Sequence, residues 1–92
     1  DSQLVAEVAD FYESRLRACE DSPCKAMYVA ALKTLQQRKS IPLLIEVIKT
    51  ATKKPSIGAI RAIQTMPEEY LDEKVILVAI IITSLLLSLS HL

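Results

Sequence analysis

Glycine occurs once in this chain, at Gly58, and tryptophan not at all. With one glycine there is no Gly-rich loop to cradle a phosphate. A turn-rich β fold, which spends glycines at its positive-φ corners, is disfavoured on the same ground. Aromatic residues are sparse, three Tyr and one Phe. Neither sign of charge is in excess: eleven basic and eleven acidic side chains cancel, with a pI near 6.8. That balance argues against a nucleic-acid groove or an anionic membrane surface as the main partner. A single histidine, His91, and two cysteines, Cys19 and Cys24, are too few ligands for a structural zinc site. The cysteine spacing is not Cys-x-x-Cys, which argues against a thioredoxin-like redox pair. At 92 residues the chain makes at most one small domain, or part of one.

What is present is Ala, Leu, Ile, Val, Lys, Glu and Ser in helical spacing. Leu4, Val8, Phe11 or Tyr12, and Leu16 recur at three- and four-residue steps, with Glu7, Asp10, Glu13, Arg15 and Arg17 elsewhere. That pattern predicts an amphipathic helix over roughly residues 2 to 18. The turn composition of "CEDSPC" interrupts it. A second helix is expected from about Lys25 to Arg38, with Met27 or Tyr28, Ala31, Leu32 and Leu35 inward. Ser40 reads as the N-cap of a third helix with Pro42 in its first turn. That helix carries Leu44, Ile45, Ile48 and Ala51 and ends in Lys53 and Lys54. A fourth follows from Pro55 and Ser56 through Ile57, Ile60, Ile63 and Met66 to Pro67. A fifth is expected to begin around Pro67 to Tyr70, where Glu68, Glu69, Asp72 and Glu73 suit the positive end of a helix dipole.

"ALKTLQ" (31–36) and "AIRAIQ" (59–64) share one pattern at a spacing of about 28 residues, room for a helix pair and its turns. The echo fits either an α-solenoid, in which stacked helix pairs cover one another's apolar faces, or chance likeness between two amphipathic helices. Both readings are all-α. The expected fold is therefore antiparallel helix pairs in a superhelical, solenoid-like array forming a partial domain over 1–74. From Val75 to Leu92, "VILVAIIITSLLLSLSHL" has no Asp, Glu, Lys or Arg. Its 18 residues reach the lower edge of a membrane-spanning length. Three origins compete for it: a real hydrophobic end, a truncated splice product, or translated non-coding sequence. The last two are favoured, because a solenoid cap presents a polar outer face.

No catalytic constellation emerges. His91 has no acidic neighbour in sequence. The carboxylates Glu68, Glu69, Asp72 and Glu73 read as a solvated helix start rather than an acid–base pair. Arg38, Lys39, Lys49, Lys53 and Lys54 collect near helix ends as dipole complements, with a weak surface for an acidic partner as the sharper alternative. No enzyme, metal or cofactor is expected. Cys19 and Cys24 could close a local disulfide across the turn or remain free thiols; spacing leaves both open.

The order of features from Leu4 to about Val75 resembles the helical domain of the large lipid transfer proteins, which include vitellogenins, apolipoprotein B, insect apolipophorins and the microsomal triglyceride transfer proteins. In that family, most of all on the triglyceride-transfer branch, a similar cysteine pair follows a helix in the place of Cys19 and Cys24. After it come a helix like "MYVAALKTLQ", an "IP-x-L-L" start like Ile41 to Leu44, an Ala-rich helix like "IGAIRAIQ", and a proline like Pro67. The resemblance implies a Cys19–Cys24 disulfide, a curved two-layered array of helix pairs, and a role in lipid transport and lipoprotein assembly in the endoplasmic reticulum lumen. It also implies protein disulfide isomerase and apolipoprotein B-type proteins as partners, with lipid binding confined to a full-length parent. The match stops at about Lys74. Two other classes stay in play: a cytosolic HEAT- or armadillo-like peptide-binding module, and a small tail-anchored membrane protein contacting the bilayer through 75–92.

Overall fold

The computed structural model describes residues 1–51 and 53–72 (the Lys53 side chain apart), so readings that fall on 73–92, including Glu73, the charge-free run and His91, lie outside it. All regular structure among the described residues is helical: α1 (Ser2–Ala18), α2 (Ser22–Leu35), α3 (Ile41–Thr50) and α4 (Lys53–Gln64), with 3₁₀ turns at Arg38–Ser40 and Glu68–Tyr70.

The first two helices begin where an aspartate supplies a partner for an unpaired amide. Asp1 caps α1, its Oδ1 accepting from the Gln3 amide at 3.0 Å. Asp21 caps α2, its Oδ1 accepting from the Cys24 amide at 2.8 Å. That cap, with Pro23 tolerated in the first turn, starts α2 at Ser22 rather than at Lys25 as periodicity alone suggested. The helix also stops earlier than expected. Gln36 takes left-handed backbone (φ 50°, ψ 49°) and donates its amide to the Leu32 carbonyl, which closes α2 before Arg38.

Two further expectations are corrected. Ser40 is not a side-chain N-cap: it ends a 3₁₀ turn that runs straight into α3, its backbone is already helical (φ −83°, ψ −11°), and its hydroxyl caps nothing. Lys53 and Lys54 do not end α3. They open α4, and α3 stops at Thr50, with Ala51 turning extended. What makes this possible is Ser56, fully buried, whose Oγ lies 3.1 Å from the Ala51 carbonyl and 3.4 Å from the Val47 carbonyl. It thereby gives the Ala51 carbonyl, just past the end of α3, a partner, while the Val47 carbonyl already accepts the Ala51 amide at 2.9 Å.

The helices pair as α1–α2 and α3–α4, and α2 packs along α4. The carboxyl ends of α2 and α4 lie together, since Gln36 Nε2 donates to the Thr65 carbonyl at 2.9 Å. Corresponding helices of the two pairs therefore run parallel, the arrangement of stacked solenoid repeats. The sequence echo falls on this contact. Leu32 of the first string and Ile60 of the second are both buried, Ile63 is buried, and Leu35 packs against the same cluster. Gly58 sits where α4 meets α2: a Cβ there would lie 3.2 Å from Val29 Cγ1. The lone glycine permits the close approach of the two helices.

The core is aliphatic. Leu16, Val29, Leu32, Ile41, Leu44, Val47, Ile48, Ile60, Ile63 and Met66 form one cluster with Ala9, Ala59 and Ala62. On α1 the burial is rotated from the expected stripe. Ala9, Glu13 and Leu16 face inward, Tyr12 is half-buried, and Leu4 and Phe11 are each 57 % exposed. On α2, Val29 is buried where Met27 was a candidate, and Met27 is 57 % exposed.

Candidate functional site

Cys19 and Cys24 are joined, with Cα atoms 5.7 Å apart. Cys19 is the extended residue that ends α1, its amide donating to the Leu16 carbonyl. Cys24 lies in the first turn of α2, held there by the Asp21 cap. The cystine thus clamps the end of one helix to the start of the next across Glu20, Asp21, Ser22 and Pro23. The chain reverses there without a glycine, because extended Cys19 and Asp21 provide the corner.

Beside the clamp lies a half-open groove of about 240 Å³ between the end of α1 and the outer side of α3. Its floor is Leu16, Leu43, Val47 and Ala51, and its rim carries Arg17, Lys25, Glu46 and Thr50, with Cys19 in the wall. Charges of both signs border it, so it shows no strong preference for an ionic ligand.

The most constrained polar group is one that periodicity placed on the solvent side. Glu13 is 7 % exposed. Its Oε2 accepts from Ser40 Oγ at 3.2 Å and lies 3.4 Å from Lys39 Nζ, while Oε1 lies 3.6 Å from Arg17. Lys39 also pairs with Asp10. A carboxylate that far from water requires such partners. The result is a polar pin from α1 to the turn ahead of α3, and it explains why Ser40 is buried yet no cap. The sequence signal, in hindsight, was weak: Glu13 sits four residues from both Ala9 and Arg17, on the inward side only if Ala9 rather than Leu4 and Phe11 marks the core.

The other basic and acidic candidates do not converge. Lys39 belongs to the pin, the Arg38 guanidinium stands 6.0 Å over the Tyr70 ring, and Lys49 and Lys54 are exposed. Glu68 and Glu69 form the exposed 3₁₀ turn. On the outer side, Phe11 packs edge-on to Tyr12 at 5.7 Å, and Tyr12 lies 6.0 Å from Tyr28. Arg15 stands 5.9 Å over Phe11, and its Nε donates to the Tyr28 hydroxyl at 3.5 Å, a contact that holds the guanidinium above its ordinary pKa. Among the described residues, no group of three or more His, Cys, Asp and Glu is placed to hold a metal ion. No helix among them is long and apolar enough to cross a membrane. No protein-family model, curated protein or solved structure matches the chain.

Proposed function

We propose that the chain is a helical scaffold of the secretory pathway, part of the helical domain of a large lipid transfer protein, with the triglyceride-transfer branch as its nearest pattern. Its task is mechanical. Stacked helix pairs present surfaces to the rest of a parent protein and to partners of the kind that resemblance implies, protein disulfide isomerase and apolipoprotein B-type proteins, in the endoplasmic reticulum lumen. Lipid would be carried only by the full-length parent.

The observation that carries the reading is the cystine at the crest of the first helix pair, since a stable disulfide belongs to an oxidising compartment. The buried polar side chains support a scaffold rather than a reaction centre. Glu13, Ser40 and Ser56 are each engaged in a contact between helices. The test is twofold: alkylation of native material followed by mass spectrometry without reductant, and binding of the purified full chain to purified protein disulfide isomerase. Blocked thiols with binding are the expected result. Fully alkylatable Cys19 and Cys24 would reject the secretory assignment in favour of a cytosolic HEAT- or armadillo-like module. The tail-anchored alternative rests on 75–92 and is tested by carbonate extraction, where release into the soluble fraction removes it.

A further inference from the structure

Among the described residues, the outward side of α1 is an apolar stripe left uncovered. Leu4 and Phe11 are each 57 % exposed, Ala18 is exposed, and Val8 is half-buried between them. These residues lie at helical steps of three, four and seven, so they share one side of α1. Phe11 is unusual for an exposed ring because it is already held, edge-on by Tyr12 and capped by the Arg15 guanidinium. An aromatic side chain ordered before contact gives up little entropy when a partner arrives, which is the usual character of an interface anchor.

The charges along the stripe indicate what covers it. Glu7 and Arg15 are both exposed, and each stands four residues, about one helical turn, from Phe11 in opposite directions. Place a second α1 antiparallel on the first with the two-fold axis at Phe11. Glu7 then meets Arg15 of the partner subunit, and Arg15 meets Glu7 of the partner subunit. Leu4 comes opposite the small Ala18 of the partner subunit, and the two Phe11 rings meet at the axis. A helix surface that complements itself in both charge and size under a two-fold operation is the signature of an isologous contact. From this we infer that α1 is a homodimerisation helix, its occupant a second copy of this chain. The inference does not depend on the lipid-transfer reading.

Sedimentation of the full chain, with far-UV circular dichroism to confirm helix content, tests it. The wild-type chain is expected to sediment as a dimer at about 50 µM, a concentration that reveals even weak self-association. Phe11→Asp, at an exposed position whose change spares the core, should weaken the dimer by about a hundredfold or more, because the two-fold axis counts the loss twice. Glu7→Arg sets arginine against arginine at both ends and should weaken it roughly tenfold. The double exchange Glu7→Arg/Arg15→Glu restores both pairs and should restore association, a rescue that no merely structural role of either residue provides. A monomeric wild-type chain overturns the inference. So does an assembly indifferent to Phe11→Asp, or a double exchange that associates no better than Glu7→Arg alone.

Discussion

The polar pin between α1 and the turn before α3 makes the sharpest test of how this fold is held together. Ser40 has no exposed surface, and its hydroxyl donates to a Glu13 carboxylate that is itself 7 % exposed. Glu13→Ala leaves that hydroxyl buried without its acceptor, a cost of about 1–3 kcal/mol. Lys39 and Arg17, at 37 % and 61 % side-chain exposure, fall back on water and add little. With the lost packing, Glu13→Ala is expected to cost about 2–3 kcal/mol. Ser40→Ala removes one hydrogen bond to a charged acceptor that keeps Lys39 at 3.4 Å, so its cost is nearer 1.5 kcal/mol. Once Glu13 is gone, removing Ser40 no longer breaks that bond and deletes the stranded hydroxyl. The double variant should therefore be more stable than the sum of the singles suggests, by about 1 kcal/mol. Urea unfolding followed by far-UV circular dichroism reads all four proteins. Additivity within about 0.3 kcal/mol would refute the pin and return Glu13 to the status of a surface charge.

Three other outcomes follow from the same geometry. Replacing both cysteines by serine opens a short loop, and the chain-entropy relation puts the loss at about 2 kcal/mol; an unchanged urea midpoint would show that the turn is held by the Asp21 cap alone. Gly58→Leu drives a side chain into Val29, 3.2 Å from where its Cβ would stand, and should cost about 1–3 kcal/mol despite the better helix propensity of leucine; a thermal midpoint equal to wild type would mean α2 and α4 can part freely. Leu32→Ala empties a fully buried site on the contact between the pairs and should cost about 2–5 kcal/mol, whereas Leu4→Ala, on the exposed stripe, should fall within about 0.5 kcal/mol in the monomer; equal losses would contradict the orientation of α1 and α2.

The sequence by itself determined what local chemistry and periodicity can determine. One glycine against abundant Ala, Leu and Ile makes every described element helical. Helix α1 spans Ser2–Ala18 as its spacing requires, and Pro23, Pro42 and Pro55 each fall in the first turn of a helix, where the missing amide goes unnoticed. The 28-residue echo also had physical content, because Leu32 and Ile60 occupy equivalent places on parallel helices. What it left open were the choices that depend on a neighbour. Apolar residues cover nearly half the circumference of α1, from Leu4 and Phe11 round to Ala9 and Leu16, so periodicity identifies a broad stripe and not its centre. Packing chose Ala9, which lets helices approach, and that rotation carried Glu13 inward and left Phe11 outside. The ends of α2 and α3 were likewise settled from a distance. Gln36 reverses the chain and reaches Thr65, 29 residues on, and Ser56, inside α4, partners the Ala51 carbonyl where α3 has stopped. A hydrogen bond between side chains and carbonyls of different helices leaves no periodic pattern in the sequence, which is why only the tertiary structure decided where these helices stop and which residues of α1 stay exposed.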